Sequence, residues 1–201
     1  MTSEATLGTR QQILDTARTI IAGRGFSAVG LSEILRAAGV PKGSFYHWFS
    51  SKEQFGKALL ERHFEDYLQQ VDASLGATGR SAPERLLAFF EQWHTSQSGD
   101  DPKLRCLVVK LSAEVCDLSE PMRAVLERGT AQVLTRLQVC LADGIVSNAL
   151  ANCGAPHEVA QQLYQRWLGA ALLARIQRSP EPLDQALAQT QRWIAAQGRG
   201  R

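Results

Sequence analysis

Cysteine is scarce in this 201-residue chain: only Cys106, Cys116, Cys140 and Cys153 occur, and no two form a CxxC pair. A disulfide framework is therefore not expected, and the thiols are read as reduced at rest. Long hydrophobic runs are missing as well. None approaches the roughly 20 apolar residues of a membrane span, and the opening "MTSEATLGTRQQ" lacks the apolar core of a secretory signal. The expected location is the cytoplasm, with no membrane partner. His63, His94 and His157 stand at no metal-ligand spacing, so no metal and no cofactor is expected. H-E-x-x-H, G-x-S-x-G, a phosphate-cradling Gly loop and a dinucleotide fingerprint are all absent, which weighs against an enzyme. Internal repeats and low-complexity segments are lacking too.

What is present is an ordinary folding composition. With 44% hydrophobic and 21% charged residues the chain resembles soluble globular proteins, and its length suffices to bury a core. The net charge of +2 says little by itself. Its distribution says more. Residues 1–52 carry Arg10, Arg18, Arg24, Arg36, Lys42 and Lys52 against Glu4, Asp15 and Glu33, a local balance of +3 that leaves −1 for the remainder. A positive N-terminal quarter points to a polyanionic partner.

Apolar residues recur at spacings of three and four rather than two, so the whole chain is expected to be helical. Thr9 is a plausible N-cap for a first helix that contains Ile13, Leu14, Ala17, Ile20 and Ile21 and ends at "GRGF", residues 23–26. A short second helix follows over 31–37 and is broken by "AAGV". Pro41 suits the first turn of a third helix. Ser50 or Ser51, with Glu53, is expected to cap a long fourth helix striped by Phe55, Leu59, Leu60, Phe64, Tyr67 and Leu68. Beyond the linker-like "GATGRSAP", helices are expected over 83–96, 102–115, 120–149, 156–177 and 183–196. The fold class is all-α: a three-helix domain over 1–54 and a larger helical domain over 55–201.

Two short helices joined by a tight "AAGV" turn are the helix-turn-helix device, whose second helix enters the DNA major groove. Gly39 supplies the positive backbone angle of the turn. Ile34, Ala38, Val40 and Phe45 are expected to form the core beneath it. Lys42, Gly43 and Ser44 begin the third helix, where small and polar residues let the backbone approach base edges and phosphates. Tyr46 and His47 can donate to phosphate oxygens, and Lys52 adds a cation. Trp48 and Phe49 are expected to face inward.

The stretch "ILDTARTIIAGRGF…LSEILRAAGVPKGSFYHWFSSKEQF" resembles the N-terminal DNA-binding domain of the TetR family of bacterial transcriptional regulators, over about residues 9–56. The frame A-G-V-x-K-G-x-x-Y-x-x-F is complete. One departure is Gly30 with Leu31, where the family often has Thr or Ser as the cap of the second helix. The resemblance implies a helical C-terminal domain that binds a ligand and dimerises through its last two helices. Gly169, Ala170 and Ala171 permit close helix approach, and Trp193 and Ile194 supply apolar surface. The same small residues also suit internal packing.

"RCLVVKLSAEVCDLSEPMR", residues 105–123, together with "WLGAALLARIQRSPEPLDQAL", is similar to the N-ethylmaleimide-responsive repressors within that family and to their acrylate-responsive relatives. That similarity implies Cys106 as an electrophile-responsive thiol. Cations lower a thiol's pKa, and Arg105, Lys103 and Arg175 are the available ones. Cys116, Cys140 and Cys153 are read as small buried hydrophobes. Trp93, Phe89, Phe90, Tyr164 and Trp167 are expected either to line an apolar effector pocket or simply to form core. The function implied is a homodimeric repressor of double-stranded operator DNA, released by a reactive electrophile or a small apolar ligand. A repressor with a purely non-covalent ligand, and less so a detoxification enzyme, remain the alternatives.

Overall fold

The computed structural model of the protein describes residues 2–99 and 107–197. Among the described residues there are nine helices and no strand: α1 (Thr2–Arg24), α2 (Leu31–Ala38), α3 (Lys42–Trp48), α4 (Lys52–Leu75), α5 (Ala82–Ser98), α6 (Leu107–Leu118), α7 (Glu120–Val146), α8 (Pro156–Gln177) and α9 (Glu181–Gln197). The all-α expectation holds, and the helix expected over 156–177 falls on α8. The part of the expected sixth helix before Leu107 lies outside the described residues.

The chain forms two compact units. One combines α1, α2, α3 and α4 as far as Glu65 with α6 and α7 as far as Gly129; the other holds the remainder of α4 and α7 with α5, α8 and α9. In the first unit, Ile13, Leu14, Ala17 and Ile21 recur on one face of α1 and are fully buried. Ile34, Leu35 and Ala38 of α2, which packs against α1, are buried with them, as are the clustered rings of Phe45, Phe49 and Phe55. Gln12 Nε2 donates to the Ala38 carbonyl at 2.8 Å, filling one of the acceptors that the end of α2 leaves open.

Several expectations need correction. Thr9 does not cap α1, which begins at Thr2. The only breaker ahead of Thr9 is Gly8, and one glycine costs a helix about 1 kcal/mol, too little to stop it. Val40 and Trp48 are half-buried rather than core. Ser51 is the residue that caps α4, through its Oγ and the Gln54 N–H at 3.0 Å. The reciprocal bond comes from Gln54, whose Oε1 accepts from the Ser50 N–H at 2.6 Å, not from Glu53. α7 stops at Val146 rather than continuing to 149, because Asn148 turns left-handed (φ 60°) and Leu150 N–H returns to the Gly144 carbonyl at 2.9 Å.

His63 on α4 is 3% exposed. Burial, and then the positive charge of Arg18, push its pKa down from 6.5 to about 3. The native imidazole therefore stays neutral at pH values where an unfolded chain binds a proton. Stability is untouched above pH 6.5 and falls below it, by about 1.4 kcal/mol per pH unit from this group. His63→Leu is expected to remove that slope. Urea unfolding at pH 7 and pH 5 checks it: the native chain loses about 2 kcal/mol more than the variant, and equal losses would contradict the assignment.

In the second unit, Leu86, Phe90 and Trp93 of α5, Val133, Leu137, Cys140 and Leu141 of α7, Leu163, Tyr164 and Trp167 of α8, and Leu183 and Ala186 of α9 are all buried, with Phe90 and Trp93 against the Trp167 ring and Trp93 against Tyr164. Arg136 closes α7 onto α4 with two bonds to the Asp72 carboxylate, at 2.6 and 3.0 Å. Arg85 donates to the Leu75 carbonyl at 2.7 Å, so the end of α4 is tied to α5.

Candidate nucleic-acid interface

α2 ends in a left-handed Gly39 (φ 66°, ψ 27°), and Val40 N–H bonds back to the Leu35 carbonyl at 3.0 Å. A side chain at that backbone angle is strained, so the turn needs its glycine. Gly30 caps α2 in extended conformation with no side-chain bond, as the departure from Ser or Thr implies. Pro41 stands just before α3 at φ −62°, one place earlier than the first-turn position expected of it.

α3 divides its residues by face. Phe45 is fully buried and stacks obliquely on Phe49 (5.1 Å between centroids) and Phe55 (5.5 Å). Lys42, Gly43, Tyr46 and His47 are exposed and Ser44 is half-buried. Tyr46 is 55% exposed, an unusual setting for a large ring. It stands edge-on to the core ring of Phe45 at 5.4 Å, and His47 stands edge-on to the half-buried Trp48 at 4.8 Å. Five of the six sequence-predicted contact residues thus share one short helix. The sixth, Lys52, is half-buried; its Nζ donates to the Val29 carbonyl at 2.9 Å and lies 5.0 Å from the Phe26 ring centroid. One of its three donors is therefore committed inside the protein.

The residues expected to sense an effector are placed unevenly. Cys106 lies outside the described residues. Trp167 is fully buried and stacks on Phe90 at 5.0 Å and 16°. Tyr164 is buried and meets Trp93 at 5.5 Å. The Trp167 indole N–H donates to Thr190 Oγ1 at 3.2 Å, whereas the buried Trp93 N–H has no acceptor among the described residues. Arg175 is half-buried near the end of α8.

Two cysteines are buried as expected. Burial pushes the Cys140 thiol up to about 11 and moves Cys153 in the same direction. Cys116 is the correction, since it is exposed. Val108, Leu111 and Val115 define the inner face of α6, and residue 116 is one step of about 100° around the helix from it. On α8, Leu172, Leu173 and Ile176 are 50%, 46% and 67% exposed, and Gly169 beside them faces open space.

An all-helical chain that presents a helix-turn-helix with this polar outer face is a DNA-binding transcriptional regulator. Comparison with known proteins makes the class specific. The family described as "Bacterial regulatory proteins, tetR family" matches residues 13–59, and "Tetracyclin repressor-like, C-terminal domain" matches 82–190. The chain belongs to the TetR family, whose members are regulators and not enzymes. It is 46% identical over 187 residues to the HTH-type transcriptional repressor NemR of Escherichia coli (strain K12), across 93% of this chain and 94% of that one. It is 33% identical over 178 residues to the HTH-type transcriptional repressor DhaR of Mycobacterium sp. (strain GP1), across 89% and 88%. The crystal structure of the reduced form of E. coli NemR superposes with a TM-score of 0.86 at 44% identity, covering 92% of this chain and 96% of that one. TetR-family repressors bind operator DNA as dimers and respond to small-molecule effectors. No described helix is long and apolar enough to cross a membrane.

One group of contacts behind the helix-turn-helix has no signal in the sequence. Glu114 of α6 accepts hydrogen bonds from the backbone of the loop between α1 and α2, and Ser119 Oγ donates to Glu53 Oε1 at 2.7 Å. The partners are 66 to 88 positions apart, and no local pattern signals such a pairing.

Proposed function

We propose that the protein is a homodimeric repressor. In this reading residues 1–54 bind double-stranded operator DNA and 55–201 receive the effector and hold the dimer. Lys42, Gly43, Ser44, Tyr46 and His47 meet the major groove, and Lys52 adds a phosphate contact from the start of α4. The observation that carries the reading is the exposure of Lys42, Tyr46 and His47 on a helix whose other face is sealed by Phe45. The repressors NemR and DhaR among its relatives support the direction of control. The exposed Leu172, Leu173 and Ile176 support dimerisation through α8. Two recognition helices then enter successive major grooves about 34 Å apart.

The similarity around residues 105–123 favours release by an electrophile at Cys106, with Arg175, Trp167 and Tyr164 as the further effector-site residues. A coupling of about 1–3 kcal/mol lowers operator affinity about 5- to 150-fold. The unpartnered N–H of Trp93, held among Phe89, Tyr164 and Trp167, favours a second reading. There the effector binds without a covalent bond and offers that N–H an acceptor.

One experiment tests both. Purified protein selects its site from random duplex DNA, and retardation on that site is repeated for Lys42→Ala and, after N-ethylmaleimide, for Cys106→Ser. Lys42→Ala is expected to weaken binding and to flatten the log–log salt slope by about 1, as for one lost phosphate contact. Unchanged affinity at matched salt would remove Lys42 from the interface. N-ethylmaleimide is expected to release the native protein and to spare Cys106→Ser. Equal release of both would set aside the Cys106 assignment in favour of another thiol such as the exposed Cys116, and release of neither would leave the non-covalent reading.

A further inference from the structure

We infer that Glu114 is a positioning residue for DNA recognition: its carboxylate clamps the α1–α2 loop and so holds the helix-turn-helix in its reading orientation. The inference rests on the proposed role of Lys42 to His47.

Two backbone N–H groups, of Phe26 at 3.0 Å and of Ser27, donate to the two oxygens of Glu114. They follow Gly25, where the chain turns at φ +95° and where an added Cβ would lie 3.0 Å from Glu114 Oε2. The loop is therefore shaped around this carboxylate, with successive N–H groups converging on one anion. Partial burial raises the pKa of Glu114, but the hydrogen bonds from Ser27 and Phe26 and the charge of Lys110 outweigh it and hold the group below the usual carboxylate range. The bonds are charge-assisted at neutral pH, the stronger class.

The clamp acts where orientation is decided. The loop leads into α2, so its position sets the entry to the helix-turn-helix. The exit, at the start of α4, is held by the same corner of the molecule. Ser119, between α6 and α7, donates to Glu53 in the first turn of α4. Gly56 of α4 lies so close to Phe26 and Met122 that a Cβ there would come within 2.6 and 2.7 Å of them. Lys52 closes the circuit by bonding Val29 in the loop and covering the Phe26 ring. The helix-turn-helix is thus held at its entry, the α1–α2 loop, and at its exit, the start of α4. A dimer that must fit two grooves at once gains affinity from such preorganisation, and loosening either end imposes an ordering cost on binding.

Glu114→Ala removes both acceptors, and Glu114→Gln keeps the size and a weaker one. Amide hydrogen exchange at Phe26 and Ser27 and operator affinity across a salt series are measured for both variants and for the native chain. The Ala variant is expected to exchange those two amides at least about tenfold faster. It should bind the operator about tenfold more weakly, with Gln between the two. The salt slope should stay at the native value, because no phosphate contact is lost. Should the Ala variant fail to fold, the Gln variant decides alone. Unchanged exchange would remove the clamp. Faster exchange with native or tighter operator affinity would remove its positioning role. If the native protein retards no duplex, the DNA-reading assignment fails instead, and the exchange measurement still decides whether the clamp exists.

Discussion

Trp167→Ala is expected to lower the unfolding free energy by about 3–5 kcal/mol, a large share of what a domain of this kind possesses. Trp167 has no exposed surface, and it stacks on Phe90 of α5 at 5.0 Å while lying 6.0 Å from the Trp93 ring. Its N–H bonds Thr190 of α9, itself fully buried and bonded onward to the Ala186 carbonyl at 2.8 Å. Removing the indole opens a cavity where α5, α8 and α9 converge. Dense interiors collapse only partly into such space, so lost transfer energy and lost contacts add. Thr190 keeps its bond to Ala186, which limits the polar penalty. Trp167→Phe keeps most of the stacking and deletes the donor, so it should cost less than the Ala change. Urea unfolding followed by far-UV circular dichroism measures both. A loss below about 1 kcal/mol for the Ala variant would mean that this ring is not what joins the three helices.

The second large effect concerns assembly. Leu172→Asp combined with Ile176→Asp is expected to yield a monomer of 22.1 kDa in dilute solution and to weaken operator binding about 100-fold or more. The two positions are one helical turn apart on α8 and are 50% and 67% exposed. They are not core residues, so the unit's own packing does not depend on them, and circular dichroism should be unchanged. Burying charge in a helix–helix interface without a partner is costly. Once the copies separate, each recognition helix binds alone and the gain from linking two half-sites disappears. Sedimentation at micromolar concentration with parallel retardation assays reads both effects. A double variant that remains a dimer, or that binds as tightly as the native chain, would place the interface elsewhere.

The reading helix was legible because its signals are local. A glycine between two short apolar-patterned helices, followed by Lys42, Gly43, Ser44, Phe45, Tyr46, His47 and Phe49, specifies turn, core and outer face within about a dozen residues. The order of helices in the second unit was legible for the same reason, since Pro and Gly clusters mark their ends. Other features were not. The start of α1 is not legible, because Thr9 suits an N-cap by residue type whereas the helix runs through it from Thr2. The exposure of Cys116 is legible in the spacing of Val108, Leu111 and Val115, which turns it outward, although a cysteine by type suggests burial. Glu114 was invisible in principle, since its partners Phe26 and Ser27 are 88 and 87 positions away and a glutamate on a helix carries no mark of its acceptor role. The pattern marks Lys52 only as a cation at the start of α4, while its bond to Val29 belongs to tertiary structure that pattern does not encode.

The Phe26 ring has a consequence for how such proteins diverge. It touches the ammonium of Lys52, it leaves Gly56 no room for a methyl group, and its backbone is held by Glu114. A larger residue at 56 requires room to be made at both 26 and 122, and loss of the acid at 114 leaves two amides without their acceptor. Substitutions at these sites are therefore tolerated in combination rather than singly, so descendants are expected to inherit the corner as a linked set of residues while their DNA-facing side chains change freely with the operator.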